Sequence, residues 1–396
     1  MSTGAILALA TTAGTAVKRM GKMPVPPSCL ALGLAAAAIA AIALKENHVD
    51  NPLAADLDHI LAHTAQLWGE LAGRRVFITG GTGFFGCWLL ESLLWAEERL
   101  GLGVQATVLS RDPAAFARKA PHLASHKAVQ MIQGDVRSFS PPPPPYHLVI
   151  HAATDASTAV IEKQPLVMLD TIVEGTQRVL DFARNCGAGK FLLTSSGAVY
   201  GPQDPKVSHV DEDCRTGPDS SDPASVYAEG KRLAELLCAL YSGPALECKI
   251  ARCFAFIGPH LPLDIHYAAG NFLADALNKR PIAVHGDGTP YRSYLYAADL
   301  AIWLWTIALR GRPCRPYNVG SQRAVTIAEL AGAVAAAADP PQEVRIARRP
   351  AAGQVAQRYV PSTRRARTEL GLDEWIGLED AIRRSLKWHT GGSRGG

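Results

Sequence analysis

No acidic residue stands before Glu46 in this 396-residue chain. Lys18, Arg19 and Lys22 precede an apolar run from Cys29 to Leu44. That run is rich in alanine and shorter than the roughly 20 residues a spanning helix needs. It reads as a weak anchor, a transit peptide or an extension with no fold, so residues 1–50 are set apart from the domains. Paired cysteines are also missing. The eight cysteines are scattered with no C-x-x-C pair. That excludes a disulfide framework or zinc ribbon and fits reduced thiols, with no metal site expected. Strong charge of either sign is absent, the net value being +4. Arg345, Arg348, Arg349, Arg358, Arg364, Arg365 and Arg367 cluster late with a single aromatic, Tyr359, among them, which fits a solvated face and not a nucleic-acid surface. What is present is apolar: 48% of the residues, enough for a large core. The length allows two to three domains, or one large α/β domain with an appended lobe.

The stretch RVFITGGTGFFGCWLLESLLWA, Arg75 to Ala96, carries the first motif. Val76 to Thr79 reads as a buried strand. Trp88, Leu89, Leu90, Leu93 and Leu94 then recur at helical spacing. Between them lie Gly80, Gly83 and Gly86. A glycine-rich turn that opens a helix exposes backbone N–H groups at its positive end and suits a phosphate. Gly80 allows the tight turn, Gly83 the approach of a pyrophosphate, and Gly86 the packing of helix on strand. The spacing is G-x-x-G-x-x-G and not G-x-G-x-x-G. A tight turn with no ligand is the alternative.

From Leu71 onward strands and helices alternate. Strands are expected at Val76–Thr79, Ala106–Ser110, Val129–Ile132, His147–His151, Lys190–Ser195 and Cys248–Ala251. Helices are expected through Thr171–Ala183 and Val226–Tyr241. This order implies a Rossmann-type, doubly wound parallel sheet in an α/β fold. Residues 71–255 would form the dinucleotide-binding domain. Residues 256–390 would form a smaller C-terminal substrate-binding lobe interleaved with the sheet, and 391–396 a tail.

Two further stretches bear on chemistry. FLLTSSGAVYG puts Ser195 and Ser196 at the carboxyl end of the fifth strand, where ligands bind in such sheets. SVYAEGKRLAELL puts Tyr227 and Lys231 four apart on one helix face. A phenol titrates near pH ~10, and a neighbouring ammonium favours its ionised form. Tyr227 could then accept the proton of a carbinol while hydride leaves for a nicotinamide. Ser196 could hold the same oxygen, and Lys231 the cofactor ribose.

From about Arg75 to Trp388 the chain resembles the extended short-chain dehydrogenase/reductase family, in its nucleotide-sugar epimerase and dehydratase branch. The likeness rests on TGGTGFFG, GDV at Gly134–Val136, HAA at His151–Ala153, SSGAVYG, YAEGK, and RSYLYAADL at Arg292–Leu300. The resemblance implies an NAD(P)-dependent enzyme. Ser196, Tyr227 and Lys231 would be catalytic. Gly80, Gly83, Phe84, Phe85, Gly86, Ser110, Arg111, Asp135, Val136, Ala152 and Ala153 would line the cofactor, with Asp135 and Val136 at the adenine. Asn271 and Arg292 would hold the substrate diphosphate, a task that suits an Arg fork.

An acidic residue usually follows the second strand in NAD enzymes and binds the ribose. Here Ser110 and Arg111 stand there, which points to NADP; the alternatives are that Arg111 stacks on adenine or that Asp112 takes the ribose. The dehydratase branch has an Asp-Glu pair where this chain has Gly197 and Ala198. Relatives that decarboxylate nucleotide-linked glucuronic acid have a Glu at the Ala198 position, and the 3,5-epimerase/reductase branch has a Cys there. With these missing, C4 epimerisation or simple oxidation and reduction is expected. Ala255 replaces a common Asn, and Asp264 and His266 lie near Asn271 as candidate substrate contacts. A nucleotide-sugar dehydratase or decarboxylase or a simple NAD(P)-dependent reductase of the same fold, a reductase of other carbonyls, and a non-catalytic NAD(P)-sensing protein are the competing readings. The expected partners are a nucleoside-diphosphate sugar and a second copy of the chain. Membrane contact is expected only if residues 29–44 act as an anchor. A cytoplasmic location follows from the soluble cofactor, with a membrane-anchored or organelle-targeted protein as the alternative.

Overall fold

The computed structural model describes residues 51–391 apart from 155–162, 264–266, 352 and 354. Seven parallel strands form the central sheet. They are β1 (Arg75–Thr79), β2 (Gln105–Ser110), β3 (Val129–Gln133), β4 (Leu148–His151), β5 (Lys190–Ser196), β6 (Glu247–Cys253) and β7 (Pro316–Val319). Their spatial order is β7-β6-β5-β4-β1-β2-β3. The order reverses between β1 and β4, and in such sheets ligands bind at that crevice. β4 begins one residue later than expected: His147 stays outside it and faces Glu70.

The apolar runs form strands because both faces of the sheet are covered. Val76, Ile78 and Ile150 point into one core, and Phe77, Val149, Phe191 and Leu193 into the other. The second core is closed by α3 (Pro165–Asn185) and α4 (Val226–Tyr241). The first is closed by α1 (Ala54–Thr64), α2 (Phe84–Leu100) and α6 (Ala297–Arg310), with α5 (Ala268–Leu277) lying between α4 and α6 in the chain. From Ala297 to Leu309 every residue of α6 is buried. α1 was not legible in the sequence; it adds Leu57 and Ile60 to this core, and Leu53, Leu67 and Trp68 flank it there.

Beyond β6 the chain builds short strand pairs over the carboxyl edge. Phe256–Ile257 pairs with Leu295–Tyr296. Tyr291–Arg292 lies between Val325–Thr326 and Arg358–Tyr359. YNVG then returns to the main sheet as β7, beside β6. A last helix, α7 (Leu378–Gly391), packs back on this region. Among the described residues no helix is long and apolar enough to cross a membrane. The apolar run 29–44 lies outside them.

Candidate active site

Gly80 ends β1 at φ +70, a conformation other residues rarely adopt. A Cβ there would fall less than 3.0 Å from the Ala152 carbonyl. A Cβ on Gly86 would meet the backbone of Gly81 and Gly80 just as closely. These two glycines let α2 start directly against the sheet. Gly83 differs: it caps α2, and its only near neighbour would be the Gly80 oxygen at 3.4 Å. The space beyond it is a cleft of about 250 Å³. Gly80, Gly83, Ser110, Arg111, Asp135, Val136 and Ala153 all line that cleft. The free N–H groups of the first turn of α2, at the positive end of its dipole, fit a pyrophosphate.

The far end of the cleft is basic. Arg137 lines it, a residue that no motif of the sequence marks. It forms a two-pronged pair with Asp135 at 2.9 and 3.1 Å, which holds that carboxyl below its usual range. The Ser110 hydroxyl accepts from the Asp112 amide, and the Asp112 carboxylate caps the helix Pro113–Lys119. Asp112 therefore spends a carboxylate oxygen on the Ala115 amide at 2.9 Å. Beneath the cleft, buried His151 is bracketed by the Thr79 and Thr176 hydroxyls at 2.7 and 3.1 Å. Burial pushes its pKa down to about 3, so it is a neutral structural group.

Thr154 belongs both to this cleft and to a second cavity of about 620 Å³. Ser196, Tyr227, Lys231 and Arg292 line the second cavity, with Phe84, Phe85 and Ala152. Tyr227 and Lys231 project from the same face of α4. The Ser196 hydroxyl accepts from the Ala198 amide and lies near enough to the phenols of Tyr227 and Tyr359 to pull both pKa values down against burial. Ser195 instead donates to Glu235 at 2.6 Å, which separates the two serines by role. Lys231 donates to Thr154 Oγ1 at 2.8 Å and to the Thr194 carbonyl at 2.9 Å. Burial lowers its pKa to about 8. Burial also raises the Tyr227 phenol above its ordinary value, against the Ser196 hydrogen bond. The Lys231 nitrogen sits 5.9 Å from the centre of the Tyr227 ring.

Tyr359 is an unexpected member of the site. Its ring packs against Phe254 at 4.6 Å, tilted by 36°, and has the Arg292 guanidinium 5.8 Å from its centre. Together Phe254 and Tyr359 fill the space beside Gly197, where a Cβ would meet them at 2.6 to 2.7 Å. Ala198 lines the cavity. Among the described lining residues there is no Asp, Glu or His. Asn271 sits on α5 but is not among the residues lining either cavity. Asp264 and His266 lie outside the described residues.

Comparison with known proteins defines the family and the fold. The model of the NAD dependent epimerase/dehydratase family matches residues 76–320, and the chain belongs to that family. UDP-glucuronic acid decarboxylase 1 of Arabidopsis thaliana is 31% identical over 316 residues, covering 79% of this chain and 69% of the relative. The protein of the same name from Danio rerio is 28% identical, covering 80% and 73%. Among solved structures, UDP-glucose 4-epimerase of Thermotoga maritima superposes with a TM-score of 0.69 at 19% identity, covering 81% of this chain and 100% of that one. The dTDP-glucose 4,6-dehydratase of Streptomyces venezuelae, solved with NAD bound, gives 0.67 at 22% identity, covering 80% and 97%. The protein is an NAD(P)-dependent nucleotide-sugar enzyme of the epimerase/dehydratase type, with the Rossmann-type fold of its relatives.

Proposed function

We propose that the enzyme oxidises and re-reduces C4 of a nucleoside-diphosphate sugar and releases the C4 epimer. The observation that carries this reading is the lining of the larger cavity. It holds Ser196, Tyr227 and Lys231 but, among its described residues, no carboxylate or imidazole that could remove a second proton. The dinucleotide, when bound, supplies the hydride acceptor and donor. Tyr227 takes the proton of the C4 hydroxyl, and Ser196 holds that oxygen as it becomes a carbonyl. The Lys231 ammonium, fixed by Thr154 and Thr194, supports the phenolate electrostatically. Arg292 offers a cation to the substrate phosphates.

Decarboxylation is the second reading. Relatives at 28 to 32% identity carry that activity in their names. The chemistry needs the same first step. A ketone at C4 makes the C5 carboxylate that of a β-keto acid, so the C5–carboxyl bond breaks, CO2 leaves, and C5 is protonated before C4 is reduced. Incubation with UDP-glucose and UDP-glucuronate, read by NMR and mass spectrometry, separates the two. An epimer of unchanged mass with no lasting absorbance of reduced nicotinamide supports epimerisation. Loss of CO2 from UDP-glucuronate supports the second reading. Steady accumulation of reduced nicotinamide refutes both. Tyr227→Phe is expected to depress either activity by roughly a hundredfold or more, the usual worth of a positioned acid/base.

The cofactor is further proposed to be NADP. Arg111 lines the cleft at the end of β2, and the nearby Asp112 carboxylate is engaged as a helix cap. A homodimer is also proposed. Leu166 and Val167 on α3, and Leu233, Leu236 and Leu240 on α4, are exposed on two helices that pack side by side.

A further inference from the structure

One face of α2 carries Phe84, Trp88 and Glu91, spaced four and three apart. Phe84 lines the substrate cavity. Trp88 Nε1 donates to the Pro259 carbonyl at 2.8 Å. Glu91 Oε1 accepts from His260 Nε2 at 3.1 Å and from His122 Nε2 at 2.8 Å. Glu91 is only 4% exposed and His260 7%. A carboxylate this deep requires partners. Burial alone would raise it, yet the two imidazoles outweigh that and hold it below its usual range.

His260 is held in the left-handed region at φ 67, a conformation uncommon outside glycine. Its ring packs against Trp388 of α7 at 4.9 Å, with Trp88 edge-on at 6.3 Å. The next two residues, Leu261 and Pro262, line the substrate cavity. The Pro262 carbonyl then lies 2.5 Å from where a Gly270 Cβ would stand, so the segment is seated on α5 as well. The helix that opens at the cofactor turn thus also grips the wall of the substrate cavity, about two turns further along.

We infer that His260 and Glu91 are positioning residues: their bond fixes the Leu261–Pro262 wall in register with the cofactor turn, through the rigid body of α2. His122 supplies the second donor that keeps Glu91 charged. Neither His260 nor Glu91 lines the cavity, so the effect passes through Leu261 and Pro262. The inference rests on the reading that this cavity takes a nucleotide sugar.

The test uses the full-length chain saturated with cofactor. His260→Asn tolerates the left-handed backbone but is too short to reach Glu91. Loss of one hydrogen bond to a buried charge is expected to raise KM for the nucleotide sugar about tenfold, with kcat and cofactor affinity within about twofold of the parent. His260→Gln, which restores the reach, is expected to recover most of the affinity. An unchanged sugar KM, a parallel loss of cofactor affinity, or no recovery in His260→Gln overturns the inference. Hydrogen exchange at the Leu261 amide, which bonds the Gly258 carbonyl at 3.2 Å, gives a readout that needs no sugar. Faster exchange there in His260→Asn with α2 unchanged upholds the clamp, and unchanged exchange overturns it. If the parent turns over no nucleotide sugar, the proposed function fails and the exchange result still decides the clamp. Should His260→Asn fail to fold, Glu91→Gln is judged by the same readouts.

Discussion

Gly83 and Gly86 sit three residues apart in one turn, and replacing each with alanine should have opposite consequences. In Gly86→Ala the new methyl falls less than 3.0 Å from the Gly81 Cα and the Gly80 oxygen. Both are backbone atoms, so no side chain can rotate away. Overpacking of this kind costs roughly 1–3 kcal/mol. With an unfolding entropy of about 2.1 cal/mol/K per residue over 396 residues, each kcal/mol moves Tm by about 1.2 °C, so Tm should fall by about 1–4 °C. In Gly83→Ala the nearest atom is the Gly80 oxygen at 3.4 Å, an ordinary contact. The backbone there, φ −86 and ψ −176, is open to any residue. Exchanging a glycine cap for alanine costs at most about 1 kcal/mol. Yet the methyl borders the cleft at the α2 N-terminus, so cofactor affinity should fall by about tenfold or more. Calorimetric melting without cofactor and isothermal titration with NAD and NADP measure the two effects separately. A Gly83→Ala protein that binds dinucleotide like the parent would refute the placement of the pyrophosphate. A Gly86→Ala protein that melts like the parent would refute the packing argument.

Arg111→Ala should weaken NADP more than NAD in competition titrations; equal losses would remove the 2′-phosphate contact. Lys231, with its pKa lowered to about 8, gives a prediction of opposite signs. Activity should fall as pH rises through about 8, because the ammonium is lost. Between about 8 and the ordinary lysine value the unfolded chain binds the proton and the folded one does not, so stability should rise with pH over that window. Lys231→Met should abolish the rise, as followed by denaturant melts across the range. Leu236→Glu with Leu240→Glu should shift sedimentation toward the monomer, and an unchanged profile would remove α3 and α4 from the interface.

Six strands of the sheet were legible, most plainly β1 and β4, whose buried apolar runs stand out; β6 runs one residue earlier and two further than expected, and β7 was not foreseen because it returns from within the C-terminal lobe. The trio Ser196, Tyr227 and Lys231 was legible because local spacing places Tyr227 and Lys231 on one helix face and Ser196 at a strand end. Tyr359 was not, since it joins Ser196 in the cavity lining from more than a hundred residues away, through a short strand paired with Tyr291–Arg292. Arg137 stands outside the GDV motif, and only folding makes it the ionic partner of Asp135 two residues before it. The Glu91, His122 and His260 cluster left no periodic trace at all, because its members come from three separate segments. α1 offered little signal. Its first residues carry no side-chain cap, and distant contacts give it a place: burial against α2 and α6, and hydrogen bonds from Tyr296 to Asp56 and from Trp95 to Asp58.

The late return of the chain as β7 bears on how the protein comes to be folded. Until Pro316–Val319 is synthesised, β6 is an open edge with buried-type residues along it. Such an edge is a template for wrong pairings. The contacts that close it are also distant in sequence: the Asn318 amide donates to Glu212, and Arg365 reaches Asp213. Closure of loops this long makes for slow, non-local assembly. The dinucleotide half therefore cannot be completed ahead of the rest during synthesis. A fragment ending before residue 316 would carry every cofactor-lining residue and still present an unfinished sheet, prone to aggregate before it could bind anything.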